Sequence, residues 1–246
     1  MIVRKRADVA LVELGIFESR AKAQAAIAAG LVIVDGKPVK KPSEPIDMDA
    51  KITAQAAHPY VSRGGLKLKE ALEVFKIDAT DQVCIDIGAS TGGFCQVLLE
   101  AGARRVYAVD VGHGQLHPTI ANDHRIINLE GTDARKVDST LVPEAIDLLV
   151  SDVSFISLKL VIPPVLPLLK AGAKLAVLVK PQFEAGRDHV KKGIVRDAAI
   201  HMAVCRDMEV FFTSLGLHVT GLVPSPIEGG DGNREFLLGA QVPVGA

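Results

Sequence analysis

Residues 86–94 read DIGASTGGF, closing the apolar run VCIDIGA and preceding the segment QVLLEAG. Glycines at 88, 92 and 93 let the backbone bend sharply and approach a ligand before a helix starts. The spacing is G-x-x-x-G-G rather than G-x-G-x-x-G, so a dinucleotide fingerprint is not supported. An acidic residue two positions before the first glycine suits a cationic ligand better than a pyrophosphate. Outward from this stretch, VCIDIGA, RVYAVD, RIINL, IDLLVSD and KLAVLVK alternate with longer segments expected to be helical. That alternation predicts an α/β fold with a parallel sheet and helices on both faces. Ligands of such sheets collect at the carboxyl ends of the strands, and the residues closing these runs are polar: Asp86, Asp110, Asp152 and Lys180.

S-adenosylmethionine, with its sulfonium and amino group, is a cationic ligand of the expected kind. Asp86, Gly88, Ala89, Ser90, Gly92, Gly93 and Phe94 are the candidates for its first contacts. Asp110, 24 residues after Asp86, is placed to accept both ribose hydroxyls of an adenosine. Asp133, in EGTDAR, reads equally as an adenine contact or as a helix N-cap. The acceptor can be narrowed by what is missing. Methylation of a base amino group normally uses an (N/D)-P-P-(Y/F) loop, and SDVSFIS stands there. Carbon-5 methylation of cytosine needs a cysteine nucleophile, typically after proline, and none of Cys84, Cys95 or Cys205 follows one. The chain offers Asp152 and Lys180 instead, with Lys67 in SRGGLKLKE and Glu235 in EGGDGNREF. Taken singly, a strand-end aspartate is often a cap and a lone lysine a surface charge; together with the glycine loop they favour methyl transfer.

The chain has 246 residues, 48% apolar and 23% charged, as expected of a soluble globular protein with one large or two unequal domains. It holds no run of about 18 uncharged apolar residues and no apolar stretch after its basic start, so neither a membrane span nor a signal peptide is expected and the cytoplasm is the default. Three cysteines without a C-x-x-C pair argue against disulfides or a cysteine zinc site. His113 and His117 lie in GHGQLHP, whose glycines and proline discourage a regular helix, and no metal site is expected there. The net charge of -1 conceals a division: 12 Lys+Arg against 7 Asp+Glu through Lys69, then 16 against 22. A basic front joined to an acidic remainder suggests a nucleic-acid-facing module, an uneven solvated surface being the alternative.

That front resolves into elements. RADVALVELG carries a helical apolar stripe with Gly15 as its stop; Ser19 can cap the Ala-rich SRAKAQAAIAAG; LVIVDGKPVKK turns at Asp35-Gly36 as a hairpin. Arg20 and Lys22 in a first helical turn oppose the macrodipole, which suits either phosphate contact or plain surface charge. On Arg6, Asp8, Leu11, Ser19-Arg20, Ala23, Ile27, Gly30, Val32, Val34 and Asp35-Gly36, the segment resembles the RNA-binding module named after ribosomal protein S-four. The resemblance implies that Arg4, Lys5, Arg6, Arg20, Lys22, Lys37, Lys40 and Lys41 face structured RNA.

On SRGGLKL, DIGASTGGF, SDVSFISL, VKPQFE and GNREF, the remainder resembles the FtsJ-type ribose 2′-O-methyltransferases, and the whole chain the TlyA family. The resemblance implies a Rossmann-like class I methyltransferase sheet behind a small α+β RNA-binding domain, divided as residues 1–58, a linker at 59–64, and 65–246. It also implies a catalytic tetrad of Lys67, Asp152, Lys180 and Glu235, S-adenosylmethionine as donor, and a cytidine ribose of ribosomal RNA or ribosomal subunits as acceptor. A 2′-hydroxyl is a poor nucleophile, so positioning and proton removal both help it. Lys180 is the candidate base, with Lys67 as a second cation that favours the neutral amine and Asp152 and Glu235 orienting the pair. Arg63 and Ser62 are candidates for an RNA or donor channel, and Phe94 and Phe155 either flank a flipped nucleotide or, more commonly for aromatics, pack in a core. Two other classes stand behind this one: a noncatalytic ribosome-binding factor, and a haemolysin, as some family genes are described, against which the lack of an apolar span counts.

Overall fold

The computed structural model describes residues 3–229 and 232–245. It divides into two compact units, with the boundary between Pro59 and Tyr60. The first holds β1 (Arg4–Arg6), α1 (Ala7–Glu13), α2 (Arg20–Ala28), β2 (Val32–Val34), β3 (Lys37–Pro38), β4 (Pro45–Asp47) and β5 (Ile52–Ala54). Strands β3, β2 and β5 form one small antiparallel sheet, and β1 pairs with β4. Ser19 Oγ accepts the amide of Lys22, capping α2 as its position predicts. Asp35 and Gly36, both at positive φ (48° and 76°), make the two-residue turn whose twist matches the strands it joins. Small residues on the helices, Ala7, Ala10, Ala23 and Ala26, let them close over Leu11, Ile27 and Val32.

The second unit contains α3 (Gly64–Val74), β6 (Val83–Ile87), α4 (Gly93–Glu100), β7 (Arg105–Asp110), α5 (Pro118–Ala121), β8 (Ile126–Glu130), β9 (Ile146–Ser151), α6 (Leu158–Val161), β10 (Leu169–Val179), α7 (Pro181–Glu184), α8 (Ala198–Ser214), β11 (His218–Pro224) and β12 (Phe236–Gln241). Seven strands run in the order β11-β12-β10-β9-β6-β7-β8, all parallel except β12, which is antiparallel to both neighbours. This is the expected α/β class, with helices on both faces. Strand β6 buries its odd residues Val83, Ile85 and Ile87 in one core and Cys84 in the other, so the sheet is apolar on both sides. Strand order reverses at β6, between β9 and β7, which opens a crevice at their carboxyl ends.

Two expectations change. The connections into β9 and β10 are not regular helices: a single 3₁₀ turn, Ala134–Lys136, precedes β9, and α6 passes into a second, Pro163–Leu168. Pro163, Pro164 and Pro167 remove the amides that an α-helix there would need. Residues expected as a linker at 59–64 are largely packed onto the second unit. Tyr60 is buried in its core, and the Val61 amide donates to Gln96 Oε1 at 2.7 Å.

Candidate active site

Four elements bring charged residues to the carboxyl edge of the sheet. Asp152 follows β9, Lys180 follows β10, and Lys67 stands in the first half of α3. Glu235 immediately precedes β12, and because that strand is antiparallel, its start lies where its parallel neighbours end. The side chains form a row. Lys180 Nζ is 2.6 Å from Asp152 Oδ1, Asp152 Oδ2 is 3.6 Å from Lys67 Nζ, and Lys67 Nζ donates to Glu235 Oε2 at 2.6 Å. Lys67, Lys180 and Glu235 are buried, with Asp152 one-fifth exposed at the mouth. The two lysines alternate with the two carboxylates along the row, each polar head meeting a partner of opposite kind, which is what makes burial of these groups tolerable. Lys180 Nζ also donates to Ser154 Oγ at 2.8 Å, a partner that the sequence did not single out because one serine in SDVSFIS looks like any other.

Two adjoining cavities open here. The larger, of about 340 Å³, is lined among others by Gly88, Ser90, Asp110, Asp133 and Phe155; the smaller, of about 200 Å³, by Ala89, Gly93, Phe94 and Lys180, and they share Gly88, Ser90, Asp152 and Ser154. Both Asp110 oxygens are fixed by backbone amides, Oδ2 by Ser90 and Oδ1 by Gly112, each at 2.8 Å. Gln115 and Thr132 add polar groups to the larger cavity from loops without any motif. A Cβ on Gly88, at φ +87°, would sit 3.1 Å from Val153 Cγ1 and 3.2 Å from the Asp152 carbonyl oxygen. The glycine therefore lets the β6 and β9 loops close on each other. On Gly93 a Cβ would fall 2.1 Å from Ser62 Oγ, so this glycine also serves the seating of α4 beside the approach to α3.

Other candidates stand elsewhere. Asp86 lines neither cavity. Strand alternation turns it to the α4 side, where it is wholly buried and accepts from Cys95 Sγ at 3.1 Å. Desolvation, reinforced by the charges of Asp152 and Asp110, pushes its carboxyl up to about 7. Gly92 likewise lines neither; it lies against Ile120 and Leu116. Asp133 borders the larger cavity but acts as an N-cap, accepting the Arg135 amide, and the Arg135 guanidinium holds its carboxyl down to about 2. Phe94 is core, whereas Phe155 is not: it is 91% exposed, at φ +65°, with its ring 5.2 Å from that of Phe183. Glu184 accepts the Leu158 amide and the Ser157 hydroxyl and so ties α7 to α6. His117 caps α5, accepting the Thr119 amide.

In the first unit Arg4, Lys37, Lys40 and Lys41 are exposed, as is Arg63 at the start of α3. Arg6 and Arg20 are about half exposed, and both reach Asp8, which has no exposed surface and also accepts from Gln24 Nε2 at 2.8 Å. Hydrogen bonds from Arg6, then Arg20 and Gln24, hold the Asp8 carboxyl well below its ordinary range against the cost of burial. Lys22 pairs with Glu18 and Lys5 with Glu13. The cations opposing the α2 dipole are thus held by carboxylates inside their own unit, a role beyond both readings of the sequence.

Among described residues no helix is long and apolar enough to cross a membrane, and no group of three or more His, Cys, Asp or Glu side chains is placed to hold a metal ion. The chain matches the FtsJ-like methyltransferase family over residues 60–242 and the S4 domain over residues 5–52. It is 48% identical to YqxC of Bacillus subtilis, over 96% of this chain and 85% of that one. Identity to the 16S/23S rRNA (cytidine-2′-O)-methyltransferase TlyA of Mycobacterium tuberculosis is 40%, over 97% and 90%. A solved structure from Streptococcus thermophilus, described as a hemolysin, superposes with a TM-score of 0.78 at 41% identity, covering 99% of this chain and 90% of that one.

Proposed function

Because this chain belongs to the FtsJ-like methyltransferases, in the TlyA group that joins an S4 domain to them, we propose that it methylates the ribose 2′-hydroxyl of a cytidine in ribosomal RNA. The observation that carries this reading is the buried row Lys180–Asp152–Lys67–Glu235, whose Lys180 end opens on a cleft adjoining the Asp110 cavity. S-adenosylmethionine supplies an electrophilic methyl on a sulfonium. The larger cavity fits such a donor: Asp110 is already oriented by two amides and keeps lone pairs for ribose hydroxyls, and Gly88, where a Cβ would strike the β9 loop, lets the loops that line the cavity close on each other.

Lys180 takes the proton from the attacking 2′-hydroxyl. Its neutral amine does this, with Ser154 Oγ and Asp152 fixing the direction of Nζ. Asp152 is shared with Lys67, and Glu235 holds Lys67 in turn, so the carboxylate beside Lys180 is not committed to it alone. The same row is already in place, so it costs little reorganisation as the charge on the acceptor oxygen changes. Phe155 offers an exposed ring at the mouth for the base of the acceptor nucleotide to stack on. In the first unit, exposed Arg4, Lys37, Lys40 and Lys41, with Lys5, Arg6, Arg20 and Lys22, provide a salt-sensitive grip on RNA phosphates, and in the second unit exposed Arg63 offers a further cation. Ribosomal RNA as substrate implies a cytoplasmic site of action.

The test is label transfer from methyl-labelled S-adenosylmethionine to purified ribosomal subunits, followed by primer extension sensitive to 2′-O-methylation. Lys180→Ala is expected to lose roughly 10²- to 10⁴-fold in rate while keeping donor affinity. Transfer by the variant at the wild-type rate, or label on a base rather than a ribose, would reject the reading.

A further inference from the structure

We propose that Arg196 and Arg234 form a clamp for the RNA backbone phosphates beside the nucleotide presented to Lys180, an assignment that rests on the RNA substrate proposed above. Both arginines line a cavity of about 490 Å³ that shares no lining residue with the two at the tetrad. Both are exposed, and neither is ion-paired among the described residues. They come from segments nearly 40 residues apart that one buried side chain joins. Asn233, 2% exposed, accepts the Val195 amide through Oδ1 at 3.2 Å and donates through Nδ2 to the Gly193 carbonyl at 2.9 Å. Since Arg196 follows Val195 and Arg234 follows Asn233, this clip sets the two guanidiniums on the same cavity. A second buried group secures the loop: His201 Nε2 bonds the Val195 carbonyl at 2.9 Å, which makes Nε2 the protonated nitrogen.

Charge placement points the same way. From Lys69 onward the chain has more acidic than basic residues, yet KKGIVR at 191–196 carries three cations and no acid. Lys191 and Lys192 stand exposed on the tight turn that the Lys191–Ile194 bridge closes. Asp197 is occupied, accepting the Ala199 amide at the cap of α8; Glu228 reaches the Gly232 edge of the cavity. Guanidinium forks match phosphate oxygens in pairs, and no Phe, Tyr or Trp lines the cavity to stack on a base, so contact is with the backbone. Arg234 is the chain neighbour of Glu235, which closes the row at Lys67, and the clamp assigns the phosphate held there to the strand whose ribose meets Lys180.

The test uses the full chain and purified ribosomal RNA, with binding measured without donor over a range of salt concentrations. Replacing both residues by alanine (Arg196→Ala with Arg234→Ala) should weaken RNA binding about tenfold or more and make the log–log salt slope shallower by about 1 to 2. Arg196→Lys with Arg234→Lys should restore most of the slope, and S-adenosylmethionine affinity by calorimetry should match wild type in both variants, reporting an intact fold. In methyl transfer, the alanine pair should raise KM for RNA with kcat nearly unchanged. A wild-type slope in the alanine pair, or lysines no better than alanines, would overturn the clamp. Because binding is read without donor, the slope decides this whether or not methyl transfer occurs.

Discussion

At the scale of single residues, Ser154 is the hydroxyl partner of Lys180. Removing it leaves Asp152 to orient the amine alone. Ser154→Ala should slow single-turnover methyl transfer roughly 3- to 30-fold, about 0.7 to 2 kcal/mol for one hydrogen bond, with KM for RNA and thermal stability unchanged. Asp86 tests burial rather than chemistry. Its folded carboxyl titrates near 7 against an ordinary value of 3.8, so between those values the native state holds a proton that the unfolded state has released. Stability from this group is therefore full below about pH 4 and falls as pH rises to 7, by up to about 1.4 kcal/mol per pH unit. Asp86→Asn should abolish that decline, seen as a difference between wild-type and variant denaturant curves across the window.

Among elements, α1 and α2 meet over Asp8, which gathers Arg6, Arg20 and Gln24 in an otherwise apolar interface. Because the Asp8 carboxyl is held below its ordinary range, its contribution is present above about pH 4 and is lost as pH falls through its folded value. Asp8→Ala should destabilise the first unit by about 1–3 kcal/mol, since the half-exposed arginines can return to water, but Gln24 and the four hydrogen bonds from Arg6 and Arg20 lose their acceptor. Faster amide hydrogen exchange confined to residues 7–28 would report it. This pairing also changes which variants probe RNA contact cleanly. Arg6 and Arg20 hold the helices together, whereas Arg4, Lys37, Lys40 and Lys41 are exposed without an ion pair among the described residues. Neutralising those four should lower the salt slope of RNA binding by about 2 to 4 while leaving thermal stability within about 0.5 kcal/mol.

For the whole molecule, the sequence disclosed the sheet because strand alternation and strand-end polarity are local signals, and DIGASTGGF falls where it must. It offered Lys67, Asp152, Lys180 and Glu235 as charged candidates, but their grouping as a tetrad came through family likeness, since their meeting depends on β12 running antiparallel, which no periodicity reveals. A strand-end acid can face either way, and the sequence does not decide it; in the structure Asp86 lies on the α4 side against Cys95. The Asn233 clip was illegible because its partners, Gly193 and Val195, are about 40 residues away in the chain, whereas Pro163, Pro164 and Pro167 were a local signal against a regular helix. The placement of β12 has a further consequence in time. Glu235 lies 168 residues after Lys67, and the strand behind it must slot between β10 and β11, so the charged row closes late in synthesis. At about 5–20 residues per second, an interval on the order of ten seconds or more separates the two. During that interval a nascent chain already carries the segments of its first unit, but not yet the residue that pairs with Lys67, so the charged row stays open until β12 takes its place between β10 and β11.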